Sequence, residues 1–212
     1  MDPQDHVVFV VDDDRRIREA LSELLSSFDM DAVTFGSAAE YMAYPKPDVP
    51  ACLVLDVELP DINGLDLQRK IAQDNHPHIV FITGHGDIPS SVRAIKAGAV
   101  DFLPKPFKEA DLMRAINAAL AQNRAARRQS AELAGLHQRF ARLTPREREV
   151  LPLVVSGLLN KQAAAELGIS ETTLQIHRGS IMKKMDAGSL AELVRMAEAL
   201  EIPVTRSRRS QK

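Results

Sequence analysis

Three aspartates, a threonine and a lysine fall where a single pocket can collect them. Val7-Val8-Phe9-Val10-Val11 is an apolar run that ends on Asp12-Asp13-Asp14, and Leu53-Val54-Leu55 ends on Asp56. Ile79-Val80-Phe81-Ile82 ends on Thr83, and Val100 to Leu103 is closed by Pro104-Lys105-Pro106. Short apolar runs bounded by turn residues read as buried parallel strands. In an open α/β sheet, ligands bind just past the carboxyl ends of such strands. Asp12, Asp13, Asp56, Thr83 and Lys105 would therefore meet although they lie far apart in sequence. Three carboxylates in one place repel one another and shift upward unless a cation intervenes. A hard divalent ion that keeps several waters, Mg²⁺ or Mn²⁺, suits that donor set. A lysine ammonium can neutralise a phosphoryl group and a hydroxyl can hydrogen-bond it. The plainer alternative is that these aspartates cap the helices that follow, as Asp commonly does.

The elements that would position these residues follow from periodicity. Ile17, Ala20, Leu21, Leu24 and Leu25 recur at helical spacing after the first strand. Ala32 to Phe35 reads as a second strand and Ser37 to Ala43 as a helix; Pro45, Pro47 and Pro50 mark a loop before the Cys52–Leu55 strand. Further helices are expected over 64–72, 88–97 and 108–120, giving five βα units in about 120 residues. Such alternation predicts a doubly wound, flavodoxin-like sheet of five parallel strands.

Beyond it, residues 121–129 are small, polar or basic and read as a helical linker, after which Leu133, Leu136, Phe140 and Leu143 form an apolar stripe. That stripe suits packing on a second domain better than a coiled coil. Thr144-Pro145-Arg146-Glu147 is a helix start with a capping box and Pro at the first helical position. Asn160 is expected to cap a helix to Leu167, Ser170 a third from Glu171 to Met185, and a fourth spans 189–200. Two helices across a short turn make a helix-turn-helix.

Composition agrees with two domains of opposite charge. Residues 1–124 carry 12 Lys and Arg against 20 Asp and Glu, while 125–212 carry 15 against 9, so a net of −8 precedes a net of +6. A basic second half suits a polyanionic partner. The single cysteine, Cys52, excludes an internal disulfide and a cysteine-based zinc site, and fits a reducing compartment. No apolar run approaches the about 18 residues of a membrane helix, and the polar start Met1-Asp2-Pro3-Gln4-Asp5 does not read as a secretory signal. A cytoplasmic protein without a membrane partner is expected.

The strand-tip residues carry a resemblance. Residues of about 5–122 resemble the receiver domain of bacterial two-component response regulators. Asp12 and Asp13 match the metal-binding acidic pair, Asp56 the phosphoacceptor, Thr83 and Lys105 the groups that contact the phosphoryl, and Phe102 the switch aromatic. The Pro60 to Gly64 turn and the Lys105-Pro106 bond, usually cis in that family, also match. The resemblance implies that Asp56 takes a phosphoryl group from a sensor histidine kinase. Mg²⁺ would be held by Asp13, Asp56 and the Glu58 backbone carbonyl, with Asp12 acting partly through water. Thr83 and Phe102 would then move, repacking a face used for dimerisation or partner release. Glu58 either orients a hydrolytic water or sits in solvent, and His85 reads as a surface residue rather than a base.

Residues 143–200 resemble the LuxR-type helix-turn-helix, and His177-Arg178 followed by Ile181-Met182 leans toward the NarL/FixJ subgroup. In the helix 171–185, Leu174, Ile181 and Met185 would face inward, leaving Thr172, Gln175, Ile176 and Gly179 toward a major groove. Gln can pair with adenine and Ile can touch a thymine methyl. Lys161, Arg178, Lys183 and Lys184 are expected on phosphates, whereas His177 suits the domain interior. Gln175 as an ordinary exposed residue remains the bland alternative.

The expectation is thus a receiver at 1–122, a helical linker at 123–142, an all-α DNA-binding domain at 143–204 and a basic tail at 205–212. It would be a transcription regulator rather than an enzyme, binding an operator in double-stranded DNA, forming a homodimer on phosphorylation and engaging RNA polymerase. A sigma factor lacks the acidic pocket. A phosphatase with an aspartate nucleophile wants an Asp-x-Asp, where this chain has Glu58. A phosphate-independent DNA-binding protein would have no use for the complete acidic set.

Overall fold

The computed structural model describes residues 6–71, 76–84 and 88–203. His85 and the tail 205–212 lie outside them, as do the ends of two expected segments, Ala72 and residue 204. The chain divides into two compact units, Met1–Arg128 and Gln129–Lys212.

In the first unit the strands are β1 (Val7–Val11), β2 (Ala32–Phe35), β3 (Ala51–Asp56), β4 (His78–Thr83) and β5 (Asp101–Pro104). They form one parallel sheet in the order β2-β1-β3-β4-β5. The helices between them are α1 (Arg15–Ser27), α2 (Ala38–Ala43), α3 (Gly64–Ile71) and α4 (Ile88–Lys96), with α5 (Glu109–Ala141) following β5. β1 and β3 are buried along their whole length, which is why they read as unbroken apolar runs rather than as alternating ones. Their side chains still alternate between two cores. Val7, Phe9, Val11, Leu53 and Leu55 join residues of α2, α3 and α4 on one face. Val8, Val10, Cys52 and Val54 join α1 and α5 on the other. The strand order reverses between β1 and β3, and a doubly wound sheet opens its binding crevice at that point.

Helix α5 spans two expected segments. A helix to about Leu120 followed by a helical linker is expected, and the two form one continuous helix of 33 residues that runs to Ala141. The Ala, Arg and Gln of 121–129 are strong helix formers, and no Gly or Pro interrupts them. Asn123, assigned above to the linker, is 2% exposed and belongs to the first unit. Its Oδ1 accepts from the Ala51 N–H at 3.0 Å, and its Nδ2 donates to the His76 carbonyl at 2.9 Å.

The second unit holds α6 (Pro145–Val155), α7 (Asn160–Leu167), α8 (Glu171–Met185) and α9 (Leu190–Ala199) around a core that includes Leu143, Leu151, Leu174, Ile181 and Met185. Leu136 and Phe140, from the last turns of α5, pack on that core, whereas Leu133 of the same stripe is exposed. Thr144 and Glu147 form the expected capping box, and Ser170 caps α8. Asn160 does not cap α7: it is the first helical residue, and Gln162 Oε1 takes the Leu159 N–H instead. Asn160 accepts a hydrogen bond from Arg178 at 3.1 Å.

Candidate functional site

The site is assembled at the carboxyl ends of β1, β3, β4 and β5. Asp12, the residue after β1, is fully buried; Asp13 beside it is exposed. Asp56 is the last residue of β3 and is 5% exposed. One carboxylate oxygen from each of Asp12, Asp13 and Asp56 lies within 4.8 Å of the others, a spacing that a single cation can bridge. Thr83 is buried at the tip of β4. Lys105 follows β5, joined to Pro106 by a cis peptide bond. Its backbone N–H donates to the Thr83 carbonyl at 2.7 Å, which ties the two tips together.

Lys105 is the cation already in the pocket. Its ammonium donates to Asp12 Oδ2 at 2.7 Å and to Asp56 Oδ2 at 2.6 Å. Burial would lower this ammonium, but the two carboxylate hydrogen bonds and charges outweigh it and raise its pKa. Burial raises the Asp12 carboxyl despite the lysine beside it and the Asp14 N–H that it accepts. A desolvated acid next to two other carboxylates remains short of positive charge, the condition that a divalent cation relieves. The donor set therefore fits Mg²⁺ or Mn²⁺.

Local structure aims these groups. Asp14, not Asp12 or Asp13, caps α1 by accepting from the Arg16 N–H at 2.8 Å, which leaves the carboxylates of the acidic pair for the pocket. Arg18, one turn into α1, donates to the carbonyls of Asp12 at 2.7 Å and Asp13 at 2.9 Å, fixing the loop. After β3, Asp56 Oδ1 accepts from the Glu58 N–H at 3.0 Å, and the turn closes with Gly64 N–H on the Val57 carbonyl at 2.8 Å. Only glycine fits at 64, because an added Cβ would stand 2.4 Å from the Asp56 carbonyl oxygen. Asp61 in the same turn accepts from the N–H groups of Ala38 at 3.4 Å and Ala39 at 2.9 Å, anchoring it to the start of α2. The Glu58 side chain is exposed. Phe102 on β5 is half-buried, with its ring 6.0 Å from that of Phe81.

The second unit presents a separate surface. Thr172, Gln175, Ile176, Gly179 and Lys183 are all exposed on α8 at spacings of three or four residues, one stripe opposite buried Leu174, Ile181 and Met185. Lys161 is exposed on α7. Arg178 flanks the stripe, half-buried and bonded to Asn160. Lys184 stands apart from that set. Its ammonium is bonded at 2.7 and 3.0 Å to both carboxylate oxygens of Glu147, so it faces α6 and not the exposed stripe. From the sequence Glu147 reads only as a capping residue, and no sequence signal points to Arg18, to Asp14 as the cap, or to the anchoring role of Asp61. Glu147 and Asp61 act on groups that only the fold brings close, 33 and 37 residues away for Glu147 and 22 and 23 for Asp61, whereas Arg18 and Asp14 act locally.

Comparison with known proteins identifies both units. Residues 8–117 match the response regulator receiver domain, and residues 141–197 match the bacterial regulatory proteins of the luxR family. Nodulation protein W of Bradyrhizobium diazoefficiens is 50% identical over 97% of this chain and 91% of that protein. Response regulator protein TmoT of Ectopseudomonas mendocina is 44% identical over 95% and 92% respectively. Among solved structures, the response regulator StyR shares 45% identity with a TM-score of 0.80 over 92% of this chain and 99% of that one. Full-length FixJ from B. japonicum shares 36% with a TM-score of 0.53, over 94% and 98%. The chain belongs to the response-regulator family in which a receiver domain is joined to a LuxR-type DNA-binding domain.

Proposed function

We propose that this protein is a transcription regulator switched by phosphorylation of Asp56 by a sensor histidine kinase. The observation that carries the reading is the lysine-bridged carboxylate pair. Asp12 and Asp56 share one ammonium, and Asp13 completes a set spaced for one cation. Mg²⁺ held by Asp13, Asp56 and the Glu58 backbone carbonyl, with Asp12 through water, would shield the charge of the incoming phosphoryl group. An Asp56 carboxylate oxygen attacks phosphorus as the phosphohistidine N–P bond breaks, and the imidazole leaves with a proton from solvent. Lys105 stays on the new acyl phosphate, and the Thr83 hydroxyl turns toward it. Phosphorylation adds nearly two negative charges, and the space that Thr83 leaves is taken by Phe102. That rearrangement biases a two-state surface toward homodimerisation.

The dimer binds an operator through the exposed stripe of α8. Gln175, Ile176, Thr172 and Gly179 meet base edges in the major groove, while Lys161, Arg178 and Lys183 engage phosphates. Such a regulator works in the cytoplasm and engages RNA polymerase. Among the described residues no helix is long and apolar enough to cross a membrane.

The test is mass and operator binding with and without beryllofluoride plus Mg²⁺, for the natural chain and Asp56→Asn. Dimerisation and tight binding are expected only in the natural chain with the mimic. Equal binding by both proteins under all conditions would overturn the switch.

A further inference from the structure

Lys183 and Lys184 are neighbours in sequence, yet 3.6 residues per turn place them about 100° apart around α8. Lys183 continues the exposed stripe that begins at Thr172. Lys184 shares the flank of Ser180, one turn earlier, and both reach Glu147 of α6. Glu147 is 3% exposed and saturated with donors. Its Oε1 accepts the Ser180 hydroxyl at 2.5 Å and the Lys184 ammonium at 3.0 Å. Its Oε2 accepts the same ammonium at 2.7 Å and the Thr144 N–H at 2.7 Å. Two residues a full turn apart on one helix, held by one carboxylate, fix both the rotation and the depth of that helix. A buried carboxylate stripped of the one cation it meets among the described residues would be left uncompensated, so Lys184 is not free to swing to a ligand.

From this geometry we infer that Glu147 is a positioning residue of the DNA-reading face. It sets the rotation of α8 through Ser180 and Lys184, and it withholds the Lys184 charge from DNA phosphates. The inference rests on the DNA-binding reading given above. It divides the basic residues of α8 into those that pay out counterions on binding and one that does not. It also makes the charge of this face adjustable from a different helix.

The experiment is the salt dependence of the full chain binding a random-sequence duplex. Each phosphate contact contributes about 0.9 to the slope of log affinity against log salt. Lys183→Gln is expected to lower that slope by about 0.9, and Lys184→Gln to leave it unchanged. Glu147→Gln frees the Lys184 ammonium and is expected to steepen it by about 0.9. A merely structural role would weaken binding without changing the slope. A fall with Lys184→Gln like that with Lys183→Gln overturns the inference. A slope unmoved by both Lys161→Gln and Lys183→Gln overturns the DNA face itself, and the inference with it. The natural chain supplies a measurement independent of any loss of folding. In lysine ¹⁵Nζ spectra, with the Lys184 signal assigned from Lys184→Arg, that signal should stay in place on adding duplex while the Lys183 signal shifts. A Lys184 shift as large as that of Lys183 refutes the clamp.

Discussion

At the scale of single residues, Lys105 and Gly64 carry constraints of different kinds. Lys105→Met leaves Asp12 Oδ2 and Asp56 Oδ2 without their shared donor. Stranding buried polar groups costs about 1–3 kcal/mol, and a cation entering among the three carboxylates should restore much of it. Urea unfolding at neutral pH should therefore show a receiver that is less stable by that amount, with the loss largely recovered in excess Mg²⁺. A loss that Mg²⁺ does not touch would remove the metal from the account. Gly64→Ala forces a methyl group to within 2.4 Å of the Asp56 carbonyl oxygen. Overpacking of this kind costs about 1–3 kcal/mol, and here it falls on the strand end that carries Asp56. Slower phosphoryl incorporation from acetyl phosphate is expected together with the lowered stability. Lys105 was legible from sequence because strand tips in a parallel sheet converge, so an apolar run ending in Asp, Thr or Lys announces its place, and Gly64 was legible as the end of the Pro60 to Gly64 turn. The choice of cap was not legible. Asp12, Asp13 and Asp14 are chemically equivalent as caps, and only the point where α1 begins selects Asp14.

At the scale of elements, α5, α6 and α8 are held by polar contacts that their own sequences do not display. Glu147 reads locally as a capping-box residue, but Ser180 and Lys184 come from 33 and 37 residues further on. Burial alone would raise its carboxyl, yet the Lys184, Ser180 and Thr144 hydrogen bonds hold it at about 2, against an ordinary 4.5. Its stabilising contribution is complete above about pH 4.5 and is lost as pH falls toward 2. Acid melts followed by circular dichroism should show α6 and α8 loosening through that window, with Glu147→Gln giving a flatter profile from a lower plateau. An equally steep profile in Glu147→Gln would assign the acid sensitivity to other carboxylates. Asn123 makes the same point in the first unit. It lies in a polar, Ala-rich stretch that looked like linker, and only the approach of β3 and the His76 loop shows that it is structural. Asn123→Ala strands the Ala51 N–H and should cost about 1–3 kcal/mol, read as a lowered midpoint in denaturant. Helix existence was legible from periodicity throughout. How far α5 packs on the first unit was not, because propensity makes 121–129 helical without saying where packing stops and solvent begins.

At the scale of the whole molecule, the chain joins an acidic unit of net −6 (residues 1–128) to a basic one of net +4 (residues 129–212), each with its own hydrophobic cores. Separate cores predict separate responses to ligands, since a ligand stabilises only the unit that binds it. On the proposed function, Mg²⁺ with beryllofluoride would engage the carboxylates of the first unit, and duplex DNA the basic face of the second. At a hundredfold excess over its dissociation constant, either ligand adds about 2.7 kcal/mol. For units of this size that is a rise of roughly 10 °C in the corresponding melting temperature. Calorimetry of the full chain should thus resolve two transitions, one raised by the phosphate mimic and abolished as a target by Asp56→Asn, the other raised by DNA. α5 passes through both units without a break, and it is the element able to change this outcome. If the two transitions merge and either ligand raises the whole, the helix transmits stability between the units. In that case a disruption such as Gln129→Pro in α5 should separate them again. Two independent transitions would instead mean that phosphorylation reaches DNA through assembly of two chains, with the charge change at Asp56 felt in mass before it is felt in the fold of α8.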